Sequence, residues 1–386
     1  MSGRQPVIGI LGGGQLARML VLQGAPLGIS FRVVDTADTP CAAELAPTLQ
    51  ADWRDLEALK PFAEAIDVAT FDFENVPAET AQWLVEHSHV FPGPEALAVA
   101  QDRMSEKNLF RAIGLDTARF AAVGTRTELD RALHEIGAPA ILKTRRLGYD
   151  GKGQYRLRDA SDADAAWQAL GDQAARHGLI LEAFVPFDYE MSVVAVRGRD
   201  GDFRTWPLIR NWHADGILSL SLAPAPDSTD LSEAAFAHAR TLAEELDYVG
   251  VFALELFVHK GCLLGNEMAP RVHNSGHWTY DGAVTSQFEN HVRAVLGLPL
   301  GDTSARGCSA MFNWIGQMPD RAAALAVPDV HWHDYGKTAR PGRKVGHATV
   351  CAPDAATLRD RVRALADVLD RGEQAAPLLE LESGRV

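Results

Sequence analysis

The chain of 386 residues is predicted to fold as an α/β domain followed by a larger α+β body. Over the first hundred residues, short apolar runs alternate with helix-like stretches, which indicates a parallel sheet with crossover helices. From residue 102 onward, long β-rich runs and hairpins dominate. The length allows two to four domains, each large enough to bury a hydrophobic core.

The N-terminal elements define the first domain. Val7–Leu11, Phe31–Val34 and Val68–Phe73 are apolar or β-branched and predict strands, and Glu79–His87 predicts a helix. The turn-rich sequence Phe91-Pro92-Gly93-Pro94 then interrupts the alternation. We therefore expect a Rossmann-like α/β domain that ends near this turn.

The body of the chain begins with a charged amphipathic stretch and continues with mixed helices and strands. Periodicity predicts, in order, helix Asp102–Ile113, strands Ala138–Thr144 and Gln154–Leu157, helix Ser161–His177, strands Leu179–Phe187 and Glu190–Val196, helix Leu231–Leu246, hairpin Val249–Met268 and helix Ala356–Leu369. Further short strands are expected after residue 302. The body is therefore predicted to be α+β.

Composition and charge exclude several classes of protein. Apolar residues make up 47% and charged residues 23%, as in soluble globular proteins. Asp and Glu outnumber Lys and Arg by 51 to 37, and the net charge of −14 argues against binding nucleic acid or an anionic membrane. No signal-peptide pattern is visible, and the four scattered cysteines predict buried free thiols. A cytoplasmic protein is expected.

A glycine-rich turn follows the first predicted strand. The sequence Gly12-Gly13-Gly14-Gln15-Leu16-Ala17 fits G-x-G-x-x-A, and Asp35 ends the next strand. This is the dinucleotide-binding fingerprint, in which glycines let backbone amides approach an anion at a helix N-terminus. The motif alone fits a nicotinamide cofactor or any other phosphorylated ligand.

A second glycine-rich turn is strongly basic. The segment from Lys143 to Gln154 contains three glycines, two lysines and two arginines, and it does not fit the Walker pattern. Its glycines permit close approach of a ligand and its cations neutralise polyphosphate charge. Asp150 lies among these cations and fits a role in proton transfer. The alternative interpretation is a solvated basic hairpin.

Two carboxylates are predicted to meet in the hairpin that turns at Lys260-Gly261. Glu255 falls opposite a residue near Asn266 or Glu267, and a shift of one residue would change the face. Carboxylates brought together in an apolar sheet repel each other unless a cation lies between them. Magnesium, held by one or two carboxylates and substrate phosphates, suits such a site. The alternative is a pair of outward-facing carboxylates.

Two polar loops follow the hairpin. Residues 269–279 bring one arginine, two histidines and an asparagine directly after the predicted metal carboxylates, which is typical of a ligand-binding loop. Residues 340–347 place three cations around a turn in an otherwise acidic protein. The second loop fits an anion site or a plain solvated basic loop.

Together and in this order, these segments resemble the ATP-grasp enzymes, and among them the N5-carboxyaminoimidazole ribonucleotide synthase family of purine biosynthesis. The resemblance spans Gly12 to His347 and rests on six stretches: GGGQLARM, FENVP, DRMSEKNLF, LGYDGKGQ, NEMAPRVHNSGHWT and RPGRKVGH. The stretches NEMAPRVHNSGHWT and GYDGKGQ are specific. Six ordered matches are far stronger than any one of them.

The resemblance implies an architecture and a reaction. It implies a Rossmann-like pre-ATP-grasp domain over residues 1–101, an ATP-grasp domain over 102–302 with a lid at about 117–180, and a small C-terminal domain over 303–386. The implied reaction uses ATP, with magnesium or manganese, to convert bicarbonate to carboxyphosphate and to carboxylate the amine of 5-aminoimidazole ribonucleotide. A homodimer is expected from the same resemblance.

The resemblance also assigns residues by matched position. The implied ATP-binding residues are Arg103, Lys143, Gly148, Tyr149, Asp150, Gly151, Lys152, Gly153, Gln154, Glu182, Ala183, Phe184, Val185, Glu190, His213, Asn266 and Glu267. Glu255 and Glu267 would bind the metal. The ribonucleotide would contact Gln15, Glu74, Tyr149, Lys152, Arg340 and Lys344, its phosphate facing the glycine turn and the basic C-terminal loop. The implied catalytic residues are Asp150, Lys152, Arg271, His273, Asn274 and Lys344, with Arg271, His273 and Asn274 holding bicarbonate.

One residue departs from the family pattern and three other functions compete. Leu147 stands where the family commonly has glycine, so we expect a stiffer loop. The nearest rival is the ATP- and formate-dependent glycinamide ribonucleotide transformylase, which would share the ATP-grasp body. A dehydrogenase leaves Glu255, Glu267 and the basic loop unexplained. A catalytically inactive nucleotide-binding regulator does not explain why every candidate position carries a reactive side chain.

Overall fold

The structure is a computed structural model that describes residues 5–148, 153–226 and 229–381. Within these residues the chain forms one parallel sheet and two antiparallel sheets. The predicted combination of an α/β unit with an α+β body is therefore confirmed. No helix in the described part of the chain combines the length and apolar character needed to cross a bilayer.

The first sheet is parallel, with five strands in the order β3-β2-β1-β4-β5. Its strands are β1 (Val7–Leu11), β2 (Ser30–Asp35), β3 (Thr48–Gln50), β4 (Val68–Phe71) and β5 (His89–Val90), and its helices are α1 (Gln15–Gly24), α2 (Leu56–Glu64), α3 (Ala78–Val85) and α4 (Pro94–Ala100). The strand order reverses between β1 and β4, and ligands of such sheets bind at that reversal. The glycine turn after β1 and the FENVP segment after β4 both lie there.

The second sheet is antiparallel, with four strands in the order β6-β9-β7-β8. Its strands are β6 (Phe120–Val123), β7 (Ala140–Thr144), β8 (Gln154–Leu157) and β9 (Leu179–Ala183), and its helices are α6 (Arg126–Ile136) and α7 (Ala163–His177). Helix α5 (Arg103–Ala112) precedes this sheet in the chain and packs against α4. A capping box between Thr125 and Glu128 starts α6. This sheet and its two helices have a hydrophobic cluster of their own. The range predicted for a lid, about 117–180, covers most of this unit, which is called the lid below.

The third sheet has nine strands and extends from the ATP-grasp region into the C-terminal region. Its strands are β10 (Tyr189–Arg197), β11 (Phe203–Thr205), β12 (Ile209–Ala214), β13 (Ile217–Ala223), β14 (Gly250–His259), β15 (Cys262–Ala269), β16 (Cys308–Ile315), β17 (Val330–Asp334) and β18 (Lys344–Ala352). The accompanying helices are α8 (Thr229–Glu245), α9 (Thr279–Gly282), α10 (Gln287–Leu296), α11 (Arg321–Leu325), α12 (Ala355–Leu369) and α13 (Gly372–Leu379). Strand β16 pairs with β13, so one sheet crosses the predicted boundary at residue 302.

Helix α10 joins the first and third sheets. Its His291 is buried and its ring nitrogens contact Thr70 Oγ1 of β4 at 2.7 Å and the Val251 N–H of β14 at 3.0 Å. Because Nδ1 accepts the amide hydrogen, the Nε2 hydrogen donates to the threonine hydroxyl. These two hydrogen bonds hold β4, which lies at the strand-order reversal of the first sheet, in a fixed position relative to the hairpin β14–β15.

Two predicted strands end earlier than expected, a third begins at Ala140 instead of Ala138, and one prediction about cysteines is wrong. Strand β4 ends at Phe71 instead of Phe73, and β9 ends at Ala183 instead of Phe187, because the following residues leave the sheets as connections. The four cysteines are free thiols, but Cys262 is exposed and the others are half-buried. Cys262 begins β15 directly after the hairpin turn, where little covers it.

Candidate active site

Long-range contacts bring the candidate residues from three regions together. Arg271 Nε, in the loop after β15, donates to Glu74 Oε2 after β4 at 2.5 Å. Lys337, which precedes β18, donates to the side chain of Gln15 at the start of α1. The pKa of Glu74 lies below its usual value because the Arg271 charge outweighs the effect of burial. The two predicted ribonucleotide contacts of the first domain therefore face cations from the other regions.

A buried ion cluster lies between the lid and α5. Lys143 Nζ of β7 donates to Glu182 Oε2 of β9 at 2.9 Å, and Lys107 Nζ of α5 lies 3.4 Å from the same oxygen. Lys107 also donates to the carbonyl of Asn266 at 3.2 Å. Burial opposes ionisation of Glu182, but the two lysines outweigh it and lower its pKa to about 2. The cluster presents positive charge beside the end of the hairpin.

The predicted carboxylate pair forms in the hairpin. Glu255 of β14 is the direct cross-strand partner of Glu267 of β15, and a bulge lies between Glu255 and Leu256. From the turn as far as Leu256 and Gly265 the pairing is regular, and the extra residue Asn266 then shifts the register by one. Without that bulge Glu255 would face Asn266, and Glu267 would point to the opposite face.

The electrostatics of the pair fit a divalent cation. Burial and the charge of Glu267 raise the pKa of Glu255, so the second negative charge is unfavourable. Arg103 Nη1 donates to Glu267 at 3.1 Å and, against the effect of burial, lowers the pKa of that carboxyl. A cation shared by both carboxylates would relieve their repulsion, as magnesium does when phosphates complete its coordination. Among the described residues, no group of three or more His, Cys, Asp or Glu could hold a metal on its own.

The remaining predicted nucleotide contacts line the edges of this cluster. His213 Nδ1 lies 2.7 Å from Glu190 Oε2 on neighbouring strands, and this hydrogen bond raises the pKa of the histidine despite burial. Ala183 ends β9, and the connection beyond it contains Phe184 and Val185. The Phe184 ring is covered by the Arg156 guanidinium at 4.3 Å. These residues lie where the second sheet meets the third sheet.

Contacts with buried side chains hold the loop after β15 in place. His273 Nε2 lies 3.2 Å from Glu255 Oε1. Burial, and after it the charges of Arg271 and Lys344, lower the pKa of His273 well below its usual range, so the ring is neutral. The side-chain amide of Asn274 contacts His277 Nδ1 at 2.5 Å and exchanges two hydrogen bonds with Asn313, at 3.1 and 2.7 Å. Asn274 is therefore engaged within the protein.

The glycine turn of the first domain is occupied by carboxylates. Gly13 N–H donates to Asp35 Oδ2 at 2.6 Å, and Gly14 N–H donates to Asp72 Oδ2 at 2.5 Å. The other Asp72 oxygen accepts from the Ala17 N–H at 3.1 Å, so this carboxylate caps α1. The amides that the fingerprint reserves for a dinucleotide pyrophosphate are thus already satisfied. Asp35 serves the turn and not a ribose.

The cations in and near the basic C-terminal turn differ in burial and in their contacts. Lys344 begins β18 and is half-buried, and its charge lowers the pKa of His273. Arg340 is exposed at the start of the turn. Burial lowers the pKa of Lys337, which lies near Asp72 and contacts Gln15. The C-terminal cation that contacts the start of α1 is therefore Lys337, a residue outside the predicted set.

Part of the lid turn lies outside the described residues. The residues outside the description are Tyr149, Asp150, Gly151 and Lys152. Gly148 and Gly153 flank this gap, and Gln154 begins β8. Leu147 is exposed and adopts φ 62°, in the left-handed region that favours glycine. The leucine does not prevent the glycine-like conformation. It holds that conformation at a cost of about 1 kcal/mol.

Several polar residues of the site were not predicted from the sequence. Asp102 caps α5 and pairs with Arg145 at 2.7 Å and Arg146 at 3.3 Å. Burial, reinforced by Glu267, raises the pKa of Glu106 to about 8, and its carboxyl accepts the Met268 N–H. The others are Lys107, Asp72 and Lys337. The mixed charges at helical spacing in DRMSEKNLF were the available signal for those on α5.

Comparisons with known proteins show the family of the chain. Three families match successive parts of the chain: the ribonucleotide synthetase pre-ATP-grasp domain at residues 6–101, the ATP-grasp domain at 108–288 and the phosphoribosylaminoimidazole carboxylase C-terminal domain at 309–361. N5-carboxyaminoimidazole ribonucleotide synthase of Pseudomonas aeruginosa is 50% identical over 355 residues, which cover 92% of this chain and 97% of the relative. The enzyme of Vibrio vulnificus is 42% identical over 371 residues, covering 95% and 96%.

Solved structures show the same similarity. N5-carboxyaminoimidazole ribonucleotide synthetase from Thermus thermophilus matches with a TM-score of 0.89 at 50% identity, covering 94% of this chain and 98% of that one. The Aspergillus clavatus enzyme, solved with ADP and 5-aminoimidazole ribonucleotide, matches with a TM-score of 0.87 at 31% identity, covering 95% and 99%. The chain belongs to the N5-carboxyaminoimidazole ribonucleotide synthase family of ATP-grasp enzymes.

Proposed function

We propose that this protein carboxylates 5-aminoimidazole ribonucleotide with bicarbonate and ATP, giving N5-carboxyaminoimidazole ribonucleotide, ADP and phosphate in purine biosynthesis. The observation that carries the proposal is the carboxylate pair Glu255–Glu267, which lies next to the lysine cluster around Glu182. A short connection leads from Glu267 to Arg271, which contacts Glu74 of the first domain. This continuity supports a single site for nucleotide, metal and ribonucleotide.

The first half-reaction transfers phosphate from ATP to bicarbonate. A bicarbonate oxygen attacks the γ-phosphorus, the bond from phosphorus to ADP breaks, and carboxyphosphate forms. Lys143 and Lys152 neutralise the phosphate charge, and alignment matters more than covalent help in such a transfer. Magnesium bound by Glu255 and Glu267 would supply further positive charge at the phosphates. Arg271 would hold bicarbonate. The ring nitrogens of His273 and the amide of Asn274 contact protein groups, so these two predicted bicarbonate residues would instead keep the loop in place.

The second half-reaction forms the carbon–nitrogen bond. The exocyclic amine attacks the carboxyl carbon of carboxyphosphate, or the CO2 released from it, and phosphate leaves. Asp150 takes the amine proton. Gln15, Glu74 and Tyr149 would bind the ribonucleotide, and Arg340, Lys344 and Lys337 would attract its phosphate. The carboxylates of Asp35 and Asp72 occupy the glycine-turn amides, which leaves that attraction to the C-terminal cations.

Three features of the whole protein belong to the same proposal. The protein works as a homodimer in the cytoplasm. Its functional units are residues 1–101, 102–302 and 303–386, with the lid at about 117–180. Closure of this lid over ATP would exclude water from carboxyphosphate, which hydrolyses readily.

The test is ADP release by the purified protein with ATP, magnesium and bicarbonate. The proposal expects strong stimulation by 5-aminoimidazole ribonucleotide and none by glycinamide ribonucleotide with formate. Stimulation by the second pair alone would identify the formate-dependent sibling enzyme instead. ADP release under neither condition would contradict both assignments.

The variant Asp150→Asn tests the proposed base. ATP should still bind, since the lysines and the carboxylate pair are unchanged, whereas carboxylation should collapse. The measurement is ATP affinity by calorimetry alongside product formation. Full carboxylation by this variant would remove Asp150 from the mechanism.

A further inference from the structure

A row of buried polar side chains runs beneath the loop that follows β15. Ser221 Oγ donates to Asn211 Oδ1 at 2.8 Å, and Asn211 Nδ2 donates to Ser192 Oγ at 2.9 Å. Ser192 Oγ donates to Ser275 Oγ at 2.8 Å, and Ser275 Oγ lies 2.9 Å from His273 Nδ1. Ser192, Asn211, Ser221 and Ser275 are each at most 4% exposed. The row of four buried polar residues therefore ends at Nδ1 of His273.

The strand register explains why the row reaches the carboxylate pair. Ser192 of β10 is the direct cross-strand partner of Glu255 of β14. Asn211 of β12 is the partner of Ser221 of β13. The row therefore crosses the sheet beside the carboxylate pair. His273, above it, places Nε2 at 3.2 Å from Glu255 Oε1.

A backbone amide determines the direction of the row. The Ser275 N–H points at His273 Nδ1 at 3.3 Å. A hydrogen on Nδ1 would clash with that amide hydrogen, so Nδ1 is an acceptor and the Ser275 hydroxyl also donates to it. The Ser275 oxygen then has to accept from Ser192, and Ser192 has to accept from the Asn211 amide. Each hydrogen in the row is thereby assigned.

We infer that Ser192, Asn211, Ser221 and Ser275 form a one-way hydrogen-bonded relay that keeps His273 in its Nε2–H tautomer, with that hydrogen facing Glu255. These four residues are positioning residues, since they act through His273 and touch no substrate. In a reversed row, His273 would carry its hydrogen on Nδ1 and turn a bare Nε2 lone pair toward the carboxylate. The relay excludes that arrangement.

The relay gives His273 a defined task in the proposed reaction, and this part rests on the proposed function. With Nε2 protonated and Nδ1 engaged, His273 is a donor and not a general base. It orients one Glu255 oxygen and leaves the other for the metal, as outer hydrogen bonds commonly do for metal-binding carboxylates. Abstraction of the amine proton is then left to Asp150.

The direct test is the tautomer of His273 in the whole protein, from the nitrogen chemical shifts of 15N-labelled histidine assigned with a His273→Asn variant. The expected spectrum shows Nδ1 without a hydrogen and Nε2 with one. The opposite pattern in the wild-type protein would overturn the inference. This measurement needs no substrate, so it stands even if the proposed carboxylation fails.

A matched pair of variants separates the hydroxyl from the space it fills. Ser192→Thr and Ser192→Val add the same bulk, but threonine alone keeps a hydroxyl. We expect Ser192→Val to mix the tautomers, raise the magnesium concentration needed for half-maximal activity and lower carboxylation roughly 10–100-fold. Ser192→Thr should keep the wild-type tautomer and most of the activity.

Ser309→Ala is the control, because it removes a buried hydroxyl outside the relay whose contact is Cys351 Sγ at 3.6 Å. It should leave the His273 spectrum and the magnesium concentration needed for half-maximal activity unchanged. Equal losses in Ser192→Thr and Ser192→Val, or an unchanged tautomer in a folded Ser192→Val protein, would overturn the inference. If neither variant folds, the wild-type spectrum decides.

Discussion

Replacing Glu182 with glutamine keeps the shape of the side chain and removes its charge. The Glu182 carboxylate lies 2.9 Å from Lys143 and 3.4 Å from Lys107. The three side chains are 5%, 13% and 1% exposed, so water screens them little. In the Glu182→Gln variant the two ammonium groups keep their positions but lose the carboxylate between them. We expect a large loss of stability.

The magnitude follows from the pKa of Glu182, which falls from 4.5 to about 2 on folding. At about 1.4 kcal/mol per pKa unit, the ionised carboxylate contributes about 3 kcal/mol at pH 7. Removing one partner of a buried ion pair costs about 3–5 kcal/mol, which agrees. Because the pKa is lowered, this contribution is present above pH 4.5 and is lost as the pH falls toward 2.

The assay is urea unfolding of wild-type and Glu182→Gln protein at several pH values. At pH 7 the variant should lose about 3 kcal/mol in free energy of unfolding. The difference should narrow as the pH falls from 4.5 toward 2, because Glu182 of the unfolded wild-type chain takes up a proton before Glu182 of the folded protein does. Glu233→Gln, on the exposed side of α8, is the matched control and should change stability by less than about 0.5 kcal/mol. A Glu182→Gln loss below about 1 kcal/mol, or one that does not depend on pH, would refute the argument.

Three further substitutions test separate parts of the site. Glu255→Gln should abolish ADP release yet stabilise the metal-free protein at pH 8, because burial and Glu267 raise the pKa of Glu255 and its ionisation costs stability as the pH rises. Activity and chelator-treated unfolding measure both effects. Lys337→Met should raise the KM for 5-aminoimidazole ribonucleotide roughly 10–100-fold without changing the KM for ATP, since a charged hydrogen bond is lost. Leu147→Gly should stabilise the protein by about 0.5–1 kcal/mol in urea unfolding, because φ 62° suits glycine.

Controls for these three variants come from the same chain. Leu147→Ala removes the same exposed side chain but keeps the strained φ, so equal stabilisation by alanine and glycine would contradict the backbone argument. Lys60→Met removes an exposed lysine of α2 and should leave both KM values unchanged. A rise in the ATP KM of Lys337→Met would place Lys337 with the nucleotide. Lower stability of metal-free Glu255→Gln at pH 8 would contradict the repulsion between the paired carboxylates.

The sequence predicted the hairpin but not the detail that aligns its carboxylates. Regular pairing from the turn at Lys260-Gly261 would set Glu255 against Asn266, and the residues alone left Asn266 and Glu267 open. The bulge that selects Glu267 depends on packing, since the Asn266 carbonyl accepts from Lys107 of α5 and the Gly265 N–H donates to the Asp116 carbonyl. Such contacts leave no local pattern in the hairpin sequence.

Contacts between distant segments were equally beyond the sequence. The residue types near Gln15 and Arg271 indicated ligand binding, but their partners lie 322 and 197 residues away. An error of two residues in the predicted end of β4 concealed the capping role of Asp72. Because the strand was predicted to continue to Phe73, Asp72 was assigned to the sheet, whereas β4 ends at Phe71 and frees its carboxylate to cap α1.

The two carboxylates at the glycine turn change which ligands the first domain can accept. A pyrophosphate entering there would have to displace Asp35 and Asp72 and would meet their negative charge, whereas an uncharged aminoimidazole ring would not. The turn thus keeps the backbone of a dinucleotide site while carrying its own anions in place of the cofactor. Because these anions are part of the fold, the turn would disfavour a pyrophosphate, and the phosphate of a mononucleotide would have to be held by cations such as Lys337 and not by the turn amides.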